Sequence, residues 1–230
     1  MNSTDILQKR LAAIVELADQ KKIEQEFSDL AKALFNNFEI KKGDDTYEFV
    51  EIEFYLYNAK HKDAITYPRT CIEGQWFFHQ SGVDISFKSK KAENEKGFVG
   101  GGILIRSIEN KNDTKLICGP INCMSVLFDQ FNAFGHDGNF PIIQAKVAPE
   151  TRPFGQCKRY VNLSYKPNDE KEKLKEKLKQ WPYKDEKDMK EFINKPYRYY
   201  RKDITDWKTE KGTYAARPNN KNYQPKGFEQ

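Results

Sequence analysis

Residues 47–58 constrain the fold of this chain more than any other segment, because they have the pattern of one long strand with two different faces. Under the two-residue period of a strand, one face is apolar without interruption: Val50, Ile52, Phe54 and Leu56. The opposite face places two carboxylates between aromatic rings: Phe49, Glu51, Glu53, Tyr55 and Tyr57. Glu is disfavoured in strands. The pattern therefore indicates either a solvated face with lysine partners or a catalytic carboxylate on the floor of an aromatic pocket.

The segments around this strand predict an α+β fold. Apolar residues at helical spacing predict helices over 4–18 and 24–36, so residues 1–36 would form a helical layer against a sheet. Further strand-like segments lie at 38–41, 76–79, 83–87, 103–108, 141–143, 159–165 and 196–200. We expect a single domain over residues 1–204, with a curved, mostly antiparallel sheet flanked by helices. A Lys- and Glu-rich stretch predicts a charged helical insertion at 167–192.

The net charge of +5 is concentrated at the C-terminal end of the chain. Residues 195–230 contain nine Lys and Arg against four Asp and Glu, so residues 1–194 are balanced overall. Gly, Asn, Pro and Lys dominate residues 205–230, which predicts a basic extended tail. Such a tail suits a polyanion, and DNA is the suspected partner. A basic tail with no partner is the alternative interpretation.

Several classes of protein are not favoured by the composition. There is no run of eighteen apolar residues, so we expect no transmembrane helix and no membrane partner. The first residues lack the layout of a secretory signal. The four cysteines have spacings that match no zinc motif, and there are only three histidines. We therefore expect a reduced, cytoplasmic protein with no metal and no cofactor.

Arg106 is the second unusual residue, because it lies within an apolar strand at Gly100–Ile108. A buried guanidinium needs a carboxylate partner, and leaving it unpaired costs several kcal/mol. Glu51 and Glu53 are the candidates if the two strands are neighbours. Farther along, Gly119 precedes a proline that opens a helix, and free N–H groups at this helix start could bind a phosphate.

The order of these motifs resembles that of the alkyladenine (3-methyladenine, methylpurine) DNA glycosylases over about residues 46–201. The matching motifs, in chain order, are Glu53-Phe54-Tyr55, a His-containing loop, an aromatic strand ending in Gly82, Gly102–Arg106, and Gly119-Pro120. Segments 159–162 and 196–200 take the place of the family's closing strands. The resemblance implies the fold of that family and an enzyme that flips a damaged purine out of duplex DNA and hydrolyses its N-glycosidic bond.

The resemblance also implies roles for individual residues. Glu53 would activate the attacking water and Arg106 would help to hold it. A neighbouring guanidinium favours the ionised form of a carboxylate, as a water-activating base requires. The substrate-binding residues would be Tyr55, His61, Phe78, Ser81 and Gly82. The predicted nucleic-acid contacts are Gly119, Arg198, Arg201 and Lys202.

The chain departs from the family pattern where the family inserts a tyrosine into the DNA stack. The corresponding residue is Ser81, and a serine cannot fill the space left by a flipped base. Phe78 stands where the family has a stacking tyrosine. Three hypotheses remain: a glycosylase for damaged purines, a divergent member acting on another nucleoside or a single-stranded substrate, and a non-catalytic nucleic-acid-binding module. In the third, Glu53 and Arg106 would form a structural ion pair.

Overall fold

Two antiparallel strands of 13 residues each, β2 (Asp45–Tyr57) and β6 (Phe98–Asn110), pair along almost their whole length and form the centre of the sheet. The structure, a computed structural model, describes residues 2–63, 65–94, 97–129, 131, 134, 139–159, 191–192, 194–209, 212–218 and 220. The α+β class and the antiparallel, curled sheet predicted from the sequence are confirmed.

The remaining elements are short and surround these two strands. The helices are α1 (Ser3–Ala13), a 3-10 turn (Ile14–Glu16), α2 (Gln20–Asn37) and α3 (Pro120–Leu127). The other strands are β1 (Phe38–Lys42), β3 (Trp76–His79), β4 (Gly82–Ser86), β5 (Lys90–Lys91), β7 (Leu116–Cys118), β8 (Ile142–Ala145), β9 (Phe154–Cys157), β10 (Arg198–Arg201), β11 (Lys208–Thr209) and β12 (Gly212–Thr213).

Both long strands pair with other strands along both of their edges. The edge of β2 that faces away from β6 pairs with β1 at residues 45–47 and with β10 at residues 51–53. The edge of β6 that faces away from β2 pairs with β4 at residues 102–104 and with β7 at residues 107–109. Strands β3, β8 and β9 extend the sheet from β4, β1 and β10. Strand β2 therefore has neighbours from both ends of the chain, β1 and β10, as well as β6.

The two predicted N-terminal helices are present and cover one face of the sheet. The first helical segment ends at Glu16. Asp19 begins the second, because its side chain accepts a hydrogen bond from the Lys22 backbone N–H at 2.9 Å. The buried side chains of α2 recur at helical spacing and join the main core: Ile23, Phe27, Leu30, Ala31, Leu34 and Phe35. We call the opposite side of the sheet the carboxylate face, because it bears Glu51, Glu53 and Tyr55.

A bulge in the middle of β2 changes which side chains share a face. The register shifts between Phe49 and Glu51 and again between Glu51 and Ile52. Phe49 and Ile52 both pack in the helix-covered core, whereas Val50 belongs to a second cluster with Trp207. Strict alternation predicted the reverse for Phe49 and Val50 and is wrong there, because a bulge inserts one extra residue into the strand.

Of the extended tail expected at 205–230, the structure describes residues 205–209, 212–218 and 220, and these fold back onto the domain. Trp207 is only 3% exposed and packs with Val50 and Leu116 on the carboxylate side of the sheet. Strands β11 and β12 form a hairpin that carries Tyr214 back over the sheet, where its N–H donates to the Trp207 carbonyl. Burial of the indole ring gives this segment an apolar anchor. The charged insertion expected at 167–192 lies outside the described residues except for 191 and 192.

Candidate active site

Four neighbouring pairings place charged and aromatic side chains in one row across the carboxylate face. The row runs through cross-strand partners in the order Phe77, Asp84, Leu104, Glu53 and Arg198. Residues that are directly paired across strands project from the same face. Adjacent strands are about 4.8 Å apart, so the backbone of Asp84 lies about 10 Å from that of Glu53. The face therefore brings together residues from five strands.

Glu53 lies between Leu104 and Arg198 in this row and is fully buried. Arg106 Nη1 is 3.3 Å from its Oε2, so the ion pair predicted between β2 and β6 is present. The Tyr55 hydroxyl donates to the same oxygen at 2.6 Å. Burial and the charge of Glu53 raise the pKa of Tyr55 well above its ordinary value. The hydroxyl therefore keeps its proton and remains a hydrogen-bond donor at neutral pH.

A second carboxylate and a second arginine complete the cluster. The Arg198 guanidinium contacts Glu51 Oε1 through both Nε and Nη2. Ser107 Oγ donates to Glu51 Oε2 at 2.7 Å, and Arg106 Nε is 3.7 Å from Oε1. Burial opposes the charge of Arg106, but the neighbouring carboxylates raise its pKa well above the ordinary value. Two carboxylates and two guanidinium groups thus balance in charge. We call Glu51, Glu53, Arg106 and Arg198 the charge cluster.

The C-terminal segment, defined as residues 207–209 and 212–218, covers the charge cluster. Arg106 Nη2 donates to the Tyr214 hydroxyl at 3.1 Å, and Arg198 Nη2 donates to the Ala216 carbonyl. A further arginine, Arg159, lies beside Tyr55, with its guanidinium 4.8 Å from the centre of the Tyr55 ring. Asp63 holds that guanidinium through both of its oxygens.

Changing Tyr214 to Phe tests whether the C-terminal segment is fastened through Arg106. The substitution removes one hydrogen bond to a charged donor and keeps the ring. We expect the free energy of unfolding to fall by about 1.5–3 kcal/mol, measured by urea denaturation. Tyr67→Phe is a comparison, since the partners of the Tyr67 hydroxyl are neutral, the Gln80 amide at 2.8 Å and Ser81 Oγ at 3.3 Å, and the hydroxyl should contribute about 1 kcal/mol. Equal losses for the two variants would contradict the role of Tyr214.

The structure does not place Phe78 beside Tyr55, as the resemblance implied. Phe78 is paired with Val83, a residue of the helix-covered core, so its side chain projects from the opposite face. It is 49% exposed and contacts Phe128. The β3 residues that project from the carboxylate face are Phe77 and His79. A two-residue turn at residues 80–81 pairs His79 with Gly82 and Phe77 with Asp84, so recognising that turn would have identified them.

His61 is also not on the carboxylate face. Its backbone N–H donates to the Asn58 side chain at 2.8 Å, which turns the loop towards the helices. The imidazole bonds to the Leu56 carbonyl at 2.8 Å and to the Tyr197 hydroxyl at 3.0 Å, and its ring packs against Phe27. Burial lowers the pKa of His61. The expected role as a pocket residue is therefore corrected to a structural one.

Ser81 and Gly82 lie at the β3–β4 turn, where they were expected. Ser81 Oγ is 3.3 Å from the Tyr67 hydroxyl. Gly82 has φ +140°, and a Cβ at this position would lie 2.9 Å from Pro120 Cβ. Gly82 therefore allows the turn to pack closely against the start of α3.

Three of the four predicted nucleic-acid contacts are engaged within the protein. The Gly119 N–H donates to the Arg106 carbonyl at 2.7 Å, so it is not free for a phosphate. Arg198 is bound to Glu51, and Arg201 contacts Glu48 at 2.7 Å and Glu109 at 3.0 Å. Both arginines are at most 4% exposed, because each projects towards buried carboxylates. Lys202 is exposed, as a phosphate contact would need to be.

The described residues contain no group of three His, Cys, Asp or Glu side chains arranged to hold a metal ion. In the same part of the chain, no helix has the length and apolar character needed to cross a membrane.

Comparisons with known proteins give a similarity to a viral protein and no function. No family model matches the chain. The uncharacterized protein L759 of Acanthamoeba polyphaga mimivirus is 32% identical to it over an alignment of 130 residues, which covers 47% of this chain and 59% of the viral protein. The chain thus spans less than two thirds of the length of that relative. The name of the viral protein states no activity.

Proposed function

We propose that this chain hydrolyses the N-glycosidic bond of a damaged, alkylated purine in the manner of a DNA glycosylase, with Glu53 as the base that activates water. The observation that carries the proposal is the convergence of Arg106 Nη1 and the Tyr55 hydroxyl on one oxygen of Glu53. A general base must be positioned within reach of the proton that it removes. Two donors from neighbouring strands provide that positioning.

In the proposed reaction a water molecule attacks the sugar carbon C1′ while Glu53 takes its proton. The bond from C1′ to the purine nitrogen breaks, and its electron pair leaves with the base. The transition state resembles an oxocarbenium ion, which a nearby carboxylate stabilises. Arg106 and Arg198 balance the two carboxylates before the reaction, so the site is prepared electrostatically. Tyr55 is partly exposed and would provide a ring for the base to stack on.

The C-terminal segment would act as a cover in this reaction. It lies over Arg106 and Arg198 through Tyr214 and Ala216, so the sugar reaches Glu53 only when this segment moves. Covers of this kind exclude bulk water during the chemical step.

A second candidate is a non-catalytic module in which the charge cluster only stabilises the sheet. The full burial of Glu53 and the equal number of opposite charges favour it. Buried ion pairs are common in proteins that have no activity at that site. The two candidates predict different effects of removing the Glu53 charge: the enzyme loses activity, whereas the module loses only stability.

Base release from methylated DNA tests the proposed function. DNA treated with a methylating agent is incubated with the protein in duplex and in single-stranded form, and released purines are quantified by chromatography. Because Ser81 leaves no wedge at the β3–β4 turn, we expect faster release from the single strand. No release from either form would contradict the enzymatic proposal, and faster release from duplex would contradict the inference from Ser81.

A further inference from the structure

Strand β10 places basic and aromatic side chains alternately on the carboxylate face. Arg198 and Tyr200 are paired with residues of β2 that project from that face, so both project from it as well. Lys202 lies two residues farther along, and its N–H donates to the Pro153 carbonyl at 2.8 Å, so the chain stays alongside the β9 segment there. Alternate side chains of a strand are about 6–7 Å apart. Tyr200 therefore lies between two cations, and we call Arg198, Tyr200 and Lys202 the β10 strip.

Gly155 on β9 makes room for the β10 strip. It is the cross-strand partner of Tyr200. A Cβ built on Gly155 would lie 2.9 Å from the Tyr200 hydroxyl oxygen and 2.9 Å from Lys202 Cε. Both side chains therefore extend over the backbone of Gly155, and a larger residue there would displace them. The glycine thus keeps the ring and the lysine side by side on one surface.

The β10 strip is accessible at its outer end and covered at its inner end. Lys202 is exposed and Tyr200 is partly exposed. Arg198 is buried beneath the C-terminal segment, where the Ala216 carbonyl accepts a hydrogen bond from its Nη2. Movement of this segment, which the proposed function requires, would extend the accessible surface inwards along β10 as far as Glu53, the cross-strand partner of Arg198.

The charges beside the β10 strip suit a polyanion. Glu51 on β2 is paired with Arg198. Asp203, which follows Lys202 in the chain, is 2.6 Å from Arg201 Nη2. Both carboxylates are therefore compensated by arginines, so neither has to be neutralised by the exposed Lys202 ammonium. An anion that approaches the outer end of the strip meets a positive charge.

We propose that the β10 strip binds a single-stranded nucleic acid, with a base stacked on Tyr200 and backbone phosphates at Lys202 and, once the cover moves, at Arg198. Proteins that bind single strands combine basic groups along the backbone with aromatic rings for the bases. A base within a duplex is stacked on its neighbours, so its face is not available to a ring on the protein surface. The proposal rests on the proposed function only for the identity of this strand as the substrate, whose damaged nucleotide would lie at Glu53.

Binding of a fluorescently labelled oligodeoxythymidylate tests the β10 strip without base release, because this oligonucleotide contains no purine. Affinity is measured by fluorescence anisotropy. Tyr200→Leu keeps an apolar side chain beside the Trp207 cluster but removes the ring, so we expect about fivefold to a hundredfold weaker binding. Tyr200→Phe keeps the ring and should bind like the wild type. Phe78→Ala removes a partly exposed ring from the opposite face and should also bind like the wild type.

The salt dependence of the same binding tests the basic end of the strip. Lys202→Gln removes one phosphate contact, so the slope of the logarithm of affinity against the logarithm of salt concentration should become shallower by about 0.7. Lys22→Gln is the matched control, because Lys22 is an exposed lysine of α2, on the helix-covered side of the sheet. Its slope should equal that of the wild type.

Each outcome decides the proposal. It is overturned if the wild-type chain does not bind the single strand, or binds a duplex of the same length equally well. It is also overturned if a folded Tyr200→Leu protein, checked by circular dichroism, binds as tightly as Phe78→Ala. Equal slopes for Lys202→Gln and Lys22→Gln would overturn it independently of how Tyr200→Leu folds. Binding with the expected losses, together with no base release from methylated DNA, would reject the proposed hydrolase while the β10 strip stands.

Discussion

Replacing Glu53 with Gln is expected to reduce the rate of base release about 10²- to 10⁴-fold, the usual contribution of a general base, while the chain remains folded. The amide keeps the shape of the carboxylate and can still accept from Tyr55, but it cannot take the proton of the attacking water. Glu51 continues to balance one of the two arginines. The rate is measured under single-turnover conditions on methylated single-stranded DNA, and folding is followed by circular dichroism.

Glu48→Gln is the matched control, because Glu48 is another buried glutamate of the same strand. Its partners are Lys146 at 2.7 Å, Arg152 at 3.1 Å and Arg201 at 2.7 Å, none of which belongs to the charge cluster. We expect Glu48→Gln to lower stability and to leave the single-turnover rate close to the wild-type value. If both variants lose stability and neither changes the rate, the carboxylate of Glu53 is structural and the water-activating role is refuted.

The main elements of the site could be predicted from the sequence because their signals are local. The alternation along residues 52–57 places Glu53 and Tyr55 on one face, and both project from that face in the structure. Arg106 stands out because a cation within an apolar strand requires a carboxylate. The antiparallel pairing of β2 with β6 then brings Arg106 within 3.3 Å of Glu53.

Phe49 and Val50 could not be assigned to their faces in the same way. A bulge places Phe49 on the core side and Val50 on the opposite side. The bulge depends on how β2 pairs with β6, and the sequence of β2 alone does not show that pairing. Phe78 was assigned by its place in a family motif, whereas its face is set by the pairing of β3 with β4. The face from which a side chain projects therefore depends on the pairing register, which the pattern of one strand does not determine.

Contacts between residues far apart in the chain account for the other differences. His61 bonds to Tyr197, which lies 136 residues later in the chain, and Arg198 bonds to Glu51, which lies 147 residues earlier. The basic composition of residues 195–230 predicts that their side chains are solvated. Composition alone cannot show that Arg198 and Arg201 pair with the buried carboxylates of Glu51 and Glu48. The excess positive charge of that segment is thus partly consumed inside the fold, which reduces what remains for nucleic acid.

Replacing Arg198 with Met should have the largest effect on stability among single substitutions in the charge cluster. Arg198 is buried and its guanidinium is the nearest cation to Glu51, whereas Arg106 Nε is 3.7 Å away. Removing one partner of a buried ion pair leaves a charge without full compensation, which costs about 3–5 kcal/mol. The contact with the Ala216 carbonyl is lost as well, so the C-terminal segment should loosen. The free energy of unfolding is measured by urea denaturation.

Arg10→Met separates the effect of burial from the effect of losing an arginine. Arg10 is 2.7 Å from Glu26, but both side chains of that pair are about one quarter exposed, so the loss should be about 0–1 kcal/mol. Adding Glu51→Gln to Arg198→Met removes the charge left behind and should restore part of the stability. Two results would contradict this expectation: equal losses of unfolding free energy for Arg198→Met and Arg10→Met, or a double variant less stable than Arg198→Met alone. Either would mean that the stability of the charge cluster does not depend on the pairing of its opposite charges. In that case the buried carboxylates would have to be stabilised by hydrogen bonds such as that from Ser107 to Glu51, which the double variant would weaken and the single variant would not.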